Sequence, residues 1–183
     1  MSKYEVVEKF VSINGEGTKA GQLAVFIRFK GCNLNCKYCD TKWANEQETP
    51  SQPMTEKEIL DYVLSTGVKN VTLTGGEPLL REGIENVITV LAENNLNIEI
   101  ETNGSVYLDK IRKLHKENVT FTMDYKLSCS GMEAAMNLDN FNILSSNDTV
   151  KFVAGCREDL IKAKQIIEKY NLYGKCNLYI SPV

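Results

Sequence analysis

The 183-residue chain is 43% hydrophobic and 25% charged, with a formal net charge of −3 and a pI near 5.4. That balance fits a folded globular protein and excludes both a disordered chain and a broad nucleic-acid-binding surface. No uninterrupted apolar run reaches the ~20 residues of a membrane-spanning helix. The six cysteines, three clustered and three scattered, do not make the even framework of a secreted disulfide protein.

Domains commonly run ~100–200 residues, so one domain spanning 1–183 is expected, large enough to bury about 70% of its unfolded surface. The opening Met1-Ser2-Lys3-Tyr4-Glu5 carries charge and lacks the apolar segment of a signal peptide. A cytoplasmic location with reduced thiols is the expectation, with no membrane and no nucleic-acid partner.

In chain order, Val6 to Ile13 mixes β-branched and aromatic residues and predicts a strand that ends at the turn Asn14-Gly15-Glu16-Gly17. Two glycines around a glutamate suit either a plain hairpin turn or a close backbone approach to a ligand. Leu23 to Phe29 is a second strand. Its near-continuous apolar character implies burial on both faces, and Arg28 is the exception. Such a charge requires an anionic partner, either an internal carboxylate or a bound ligand.

The strand runs into Gly31-Cys32-Asn33-Leu34-Asn35-Cys36-Lys37-Tyr38-Cys39-Asp40-Thr41, the most specific stretch in the chain. The residues between the thiols are polar and describe an exposed loop, which has too few apolar side chains to fix itself. A metal centre would fix it, and zinc or an iron–sulfur cluster are the two readings. A structural zinc site closes four ligands in paired knuckles, and no second C-x-x-C or nearby histidine partner is present. Cys129, Cys156 and Cys176 lie singly, and read as inert thiols; the lone His115 lies in a lysine-rich helical pattern.

Trp43 to Pro53 is polar and reads as a mobile connector. Thr55-Glu56-Lys57-Glu58 has the form of a capping box, opening a helix with Ile59, Tyr62 and Val63 on one face and Gly67 as its stop. Val68 to Thr74 is a strand leading into Gly75-Gly76-Glu77-Pro78. Ile84, Val87, Ile88, Leu91 and Ala92 mark the next helix, closed by Asn94-Asn95. Strands follow at Asn97–Thr102, 119–126, 150–154 and 176–180, with helices predicted at 109–116 and 158–170 and an irregular stretch at 127–148 holding a short helix around 132–136. Repeated βα units imply right-handed crossovers and a mainly parallel sheet with outer helices, too few for a closed eight-fold barrel. Ligands of such folds sit at the carboxyl ends of the strands, where Cys32, Gly75, Glu101 and Lys126 fall.

The C-x-x-x-C-x-x-C loop and Thr74-Gly75-Gly76-Glu77-Pro78 resemble the signatures of the radical S-adenosylmethionine enzymes. That resemblance implies an α/β fold, a partial (β/α) barrel of about six mainly parallel strands with three to four outer helices. It implies a [4Fe–4S] cluster on Cys32, Cys36 and Cys39, with S-adenosylmethionine on its open iron. Ser12 to Gly17, Phe26-Ile27-Arg28, Cys39-Asp40-Thr41 and Glu101-Thr102-Asn103-Gly104 are similar, within that superfamily, to the 7-carboxy-7-deazaguanine synthase family. The resemblance then implies a carbon–nitrogen lyase converting 6-carboxy-5,6,7,8-tetrahydropterin to 7-carboxy-7-deazaguanine with release of ammonia, on the route to queuosine and other 7-deazapurines. It further implies a flavodoxin- or ferredoxin-type reductant, a homodimer, and Mg²⁺ on Thr41.

Carried over residue by residue, Ile13, Asn14, Gly15, Arg28 and Thr74 are substrate contacts, and Arg28 and Glu101 the catalytic candidates. Arg28 would hold the pterin carboxylate. Tyr38, Cys39, Asp40, Gly76, Glu77, Asp124, Tyr125 and Lys126 are the cofactor contacts, with Asp124-Tyr125 departing from the family's common Ser-Pro-Lys. Members of the family continue beyond the point corresponding to Ser181-Pro182-Val183, and their C-terminal ends contribute to the substrate pocket. A glycyl-radical-enzyme activase shares the cluster motif but lacks the G-E-G turn and the C-D-T ending. A non-catalytic iron–sulfur or zinc module would not need Gly75-Gly76-Glu77.

Overall fold

Period-two alternation in the strands sorts the side chains onto two unlike faces. Val25, Ile27 and Phe29, then Val71 and Leu73, Ile98 and Ile100, Val119, Phe121 and Met123, and Val150 and Phe152 are buried in one continuous core. The intervening positions, Arg28, Thr72, Thr74, Glu99, Glu101, Thr122, Asp124 and Lys151, are polar and point to the opposite face. A computed structural model describes residues 3–114 and 117–183. It shows how the chain gives each face a partner.

The strands are β1 (Tyr4–Ile13), β2 (Leu23–Phe29), β3 (Gln52–Met54), β4 (Asn70–Gly75), β5 (Asn97–Thr102), β6 (Val119–Tyr125), β7 (Thr149–Ala154) and β8 (Asn177–Pro182). They form one sheet in the order β3-β1-β2-β4-β5-β6-β7-β8. From β2 to β8 every neighbour is parallel, six strands as expected, while β1 and β3 add an antiparallel edge. Strand order follows chain order in the parallel part. Right-handed crossovers then place all connecting helices on one side, over the apolar face, and leave the polar face lining a concavity. This is the α/β partial-barrel architecture.

The helices are α1 (Glu56–Thr66), α2 (Ile84–Glu93), α3 (Asp109–Leu114), α4 (Asn140–Ile143) and α5 (Arg157–Lys169). The capping box at Thr55 is present in both directions, with the Glu58 N–H donating to Thr55 Oγ1 and the Thr55 N–H to Glu58. Gly67 closes α1 in the left-handed conformation at φ 72°.

The described residues hold five helices where three to four were expected: α3 falls on the helix predicted at 109–116, and the added one, α4, has only four residues, too few to show a helical period. His115 and Lys116, the end of the predicted basic helix, lie outside the described residues. The helix expected at 132–136 is a 3₁₀ turn at Glu133–Ala135. The supposed mobile connector ends inside β3, whose pairing sets Val6 against Gln52 and Glu5 against Pro53. Backbone pairing supplies there what the polar sequence hides.

Burial of β2 on both faces is achieved by a hairpin partner. Phe26 on the concave side stacks on Phe10 of β1 at 5.2 Å, and Arg28 sits opposite Glu8, whose carboxylate accepts from its Nε at 2.9 Å. Glu8 is thus an internal anionic partner for Arg28, engaged through Nε alone.

Candidate active site

The cysteine loop leaves the carboxyl end of β2 and is held by the loops that follow the next strands. Gly76 N–H donates to the Phe29 carbonyl at 3.1 Å and Glu77 N–H to that of Gly31 at 2.9 Å. Asn103 Nδ2, past β5, donates to Asn33 Oδ1 at 3.0 Å and to Cys32 Sγ at 3.5 Å. Lys37 N–H donates to the Ser130 carbonyl, past β6, at 3.0 Å. The loop is thus tied by polar contacts as well as by whatever its thiols hold.

Gly75 and Gly76 are where the backbones meet. A Cβ on Gly76 would lie 2.1 Å from the Gly31 carbonyl oxygen, and one on Gly75, which adopts φ 140°, would lie 2.2 Å from that of Phe29. Only glycine permits this approach. Glu77, fully buried, accepts from Asn103 N–H at 2.7 Å, Thr102 Oγ1 at 3.0 Å and Leu79 N–H at 3.1 Å. It clasps the β4 turn to the end of β5. Expected as a cofactor contact, Glu77 is instead spent on intramolecular bonds and does not reach the cavity wall; burial pushes its carboxyl up to about 7 against those donors.

A cavity of about 400 Å³, within the usual ~300–1,000 Å³ of ligand pockets, opens between this loop and the polar strand face. Cys32, Cys36, Tyr38, Cys39, Asp40, Thr41 and Gly76 form its upper wall, with Asp124 and Lys126 beside them. Arg28, Thr74 and Glu101 form its floor. Thr74 Oγ1 donates to Glu101 at 2.6 Å, and Lys126 Nζ to Asp124 Oδ2 at 2.5 Å.

Two buried polar atoms in that wall, Tyr38 Oη and Asp124 Oδ1, have no hydrogen-bond partner among the described residues. Such atoms are costly unless a ligand meets them. Thr41 precedes a 3₁₀ turn without capping it, and its hydroxyl lies 3.6 Å from Cys39 Sγ.

Ligands of one tetrahedral zinc would bring their sulfurs to roughly 3.8 Å of each other, given Zn–S of about 2.3 Å. Among the described residues, Cys32, Cys36 and Cys39 do not gather within 4.8 Å as a single-ion set does. Burial pushes the Cys36 thiol up and the Lys126 ammonium opposes it.

Not every expected residue reaches the cavity. Tyr125 points to the apolar side, 4% exposed, packed on Phe141 and Phe152. The alternation that turns Asp124 inward turns its neighbour outward. Ile13 is 63% exposed, and neither it nor Gly15 lines the cavity. Asn14 is buried beneath it, donating to Glu99 and to Thr72 Oγ1.

Conversely, the sequence reading passed over Glu16 and Lys151, which pair with each other in the wall. Lys151 carried the same signal as Arg28, a lone charge in an apolar strand. Ser181, Pro182 and Val183 also line the cavity, which no reading of the sequence assigned to them.

The recessed Glu101 carboxyl is raised from 4.5 to about 7, chiefly by burial, with Glu16 and Glu99 adding to it and Thr74 and Arg28 opposing. A raised carboxyl holds its proton in the folded chain after the unfolded chain has released it, so stability is full below about pH 4.5 and falls as pH rises through about 7. In the cofactor-free protein we expect Glu101→Gln to remove on the order of 1–3 kcal/mol of that decline, measured as urea midpoints at about pH 5 and about pH 8. An identical slope in wild type and variant would show that Glu101 does not titrate in this window.

The model of the radical SAM superfamily matches residues 26–126. The chain is 59% identical over 181 residues to 7-carboxy-7-deazaguanine synthase of Clostridium acetobutylicum, covering 98% of this chain and 81% of that protein. Against the enzyme of the same name from Methanospirillum hungatei it is 34% identical, with 100% and 74% covered. A crystal structure of QueE from Escherichia coli superposes with a TM-score of 0.79 at 22% identity, over 99% of this chain and 84% of that one, which shows a shared fold. With its thiol loop, G-G-E-P turn and partial barrel all in place, the chain belongs to the 7-carboxy-7-deazaguanine synthase family of the radical SAM superfamily.

Proposed function

We propose that the protein converts 6-carboxy-5,6,7,8-tetrahydropterin to 7-carboxy-7-deazaguanine with release of ammonia, a carbon–nitrogen lyase reaction feeding queuosine and related 7-deazapurines. The supporting observation is that one cavity joins the three cluster thiols to a floor of Arg28, Thr74 and Glu101. The reading further takes 1–183 as a single catalytic domain, working as a cytoplasmic homodimer with a flavodoxin- or ferredoxin-type reductant. Among the described residues no helix is long and apolar enough to cross a membrane.

Cys32, Cys36 and Cys39 would hold the [4Fe–4S] cluster, and Tyr38, Asp40, Gly76, Asp124 and Lys126 the S-adenosylmethionine. Bound together, these groups supply a carbon-centred radical that removes a hydrogen atom from the substrate. Asp124 Oδ1, buried and unpartnered, suits the cofactor's ammonium group, with Lys126 keeping the pair of charges balanced. Gly76 offers a wall without a side chain. Thr41, its hydroxyl uncommitted to a helix cap, is the proposed Mg²⁺ ligand, the ion completing its shell with waters and substrate oxygens.

Substrate placement falls to the floor. Arg28 meets Glu8 through Nε alone, and its terminal nitrogens make no hydrogen bond to the described residues. That leaves the planar end of the guanidinium for the pterin carboxylate, held bidentately. Thr74 and Glu101 lie beside it, with Glu101 able to donate or accept a proton near neutrality. Asn14, buried against Glu99 and Thr72, holds the β1–β2 turn by donating its N–H to the Gln22 carbonyl and accepting from Gly21 N–H.

Arg28→Lys should lower kcat/KM about ten-fold, since a bidentate charge-assisted contact contributes ~1.5–3 kcal/mol and each ~1.4 kcal/mol is a factor of ten. Iron content and uncoupled cofactor cleavage should persist. With substrate deuterated at C6, the variant should move less deuterium into 5′-deoxyadenosine per cofactor cleaved. Unchanged transfer per cleavage would assign Arg28 to the Glu8 ion pair alone and leave the carboxylate to another group.

A further inference from the structure

Cys129 and Cys156 are separated by 27 positions, yet their sulfurs lie 3.3 Å apart. Cys129 sits in the turn Ser128–Ser130 after β6, and Cys156 precedes the first turn of α5. Between them stands Asp159, fully buried, its carboxylate accepting from Cys129 N–H at 3.3 Å and Gly155 N–H at 3.0 Å. The two Sγ atoms and a carboxylate oxygen all fall within 4.8 Å of one another. None of the three residues lines the cavity that holds the cluster cysteines.

We infer that Cys129, Cys156 and Asp159 form a second metal site, taking one soft divalent cation of the zinc class. The donor set is chemically matched to it: two thiolates and a carboxylate are the ligands of tetrahedral zinc, and water completes the fourth position. Three groups that each become anionic are crowded at one point, and a cation is what makes that crowding favourable. Without one, the Cys129 thiol donates to the Cys156 sulfur beside the carboxylate. Both thiols are half-buried, so an ion reaches them from solvent without unfolding.

The site joins the turns that leave the carboxyl ends of the neighbouring parallel strands β6 and β7. The turn carrying Cys129 also offers the Ser130 carbonyl to the Lys37 N–H of the cluster loop, so the ion would brace the strip on which that loop leans.

The test uses the cluster-loaded protein, prepared anaerobically and dialysed against zinc. One zinc per chain is expected, with two sulfur scatterers at the zinc absorption edge, two protons released on binding, and iron content unchanged. Cys129→Ser and Cys156→Ser should each weaken zinc binding by about a hundred-fold and Asp159→Asn by about ten-fold. Retained iron in these variants shows that they are folded. The proposal is overturned if wild type takes up no zinc, if the variants bind it as tightly as wild type, or if the bound zinc shows three sulfurs, placing it on the cluster cysteines. A disulfide between Cys129 and Cys156 in the anaerobic wild type would overturn it in favour of a redox pair. None of these outcomes depends on the identity of the substrate.

Discussion

Cys32→Ala, Cys36→Ala and Cys39→Ala should each abolish reductive cleavage of S-adenosylmethionine. The three thiols occupy the wall of one cavity, and in a three-cysteine cluster each holds one iron, so removing one takes an iron's only protein ligand. No spare thiol stands by. Cys129 and Cys156 are turned to Asp159, and Cys176 is buried against the Leu172 carbonyl. Anaerobic reconstitution followed by iron analysis and 5′-deoxyadenosine measurement decides the matter. Cleavage surviving in any one variant would remove that cysteine from the cluster, whereas Cys176→Ser should match wild type in both readouts.

Gly76→Ala should be the next most damaging change. Its methyl would lie 2.1 Å from the Gly31 oxygen, 2.3 Å from the Gly31 carbon and 2.5 Å from Asn45 Oδ1, and the first two are backbone. Gly31 immediately precedes Cys32, so relief of the clash moves the first cluster ligand. Overpacking of this kind commonly costs about 1–3 kcal/mol, and the same shift also narrows the proposed cofactor wall. A fall of about ten- to hundred-fold in cofactor cleavage is expected, with partial loss of iron. Gly15→Ala is the contrasting variant, since nothing lies within 4 Å of its added methyl, and its cofactor cleavage should stay near wild type. Wild-type iron and cleavage in Gly76→Ala would show that the two loops do not pack as closely as described.

Local chemistry was legible in the sequence wherever it depends on neighbours along the chain. The spacing of Cys32, Cys36 and Cys39 announced a metal centre, the Thr55/Glu58 box and Gly67 bounded α1, and alternation in β5 put Glu99 and Glu101 on one face. Alternation would also have turned Tyr125 away from Asp124, had the period been followed one residue further.

What only the tertiary structure decided are pairings between distant positions, because these depend on strand register and crossover geometry, which no local pattern encodes. Register set Arg28 against Glu8, and the crossover carried Glu77 to the backbone of Asn103. Closure of the sheet brought Lys151 to Glu16, 135 positions away. The same packing placed two apparently solitary cysteines 3.3 Å apart, since β6 and β7 are neighbouring parallel strands and the turns that leave their carboxyl ends lie side by side.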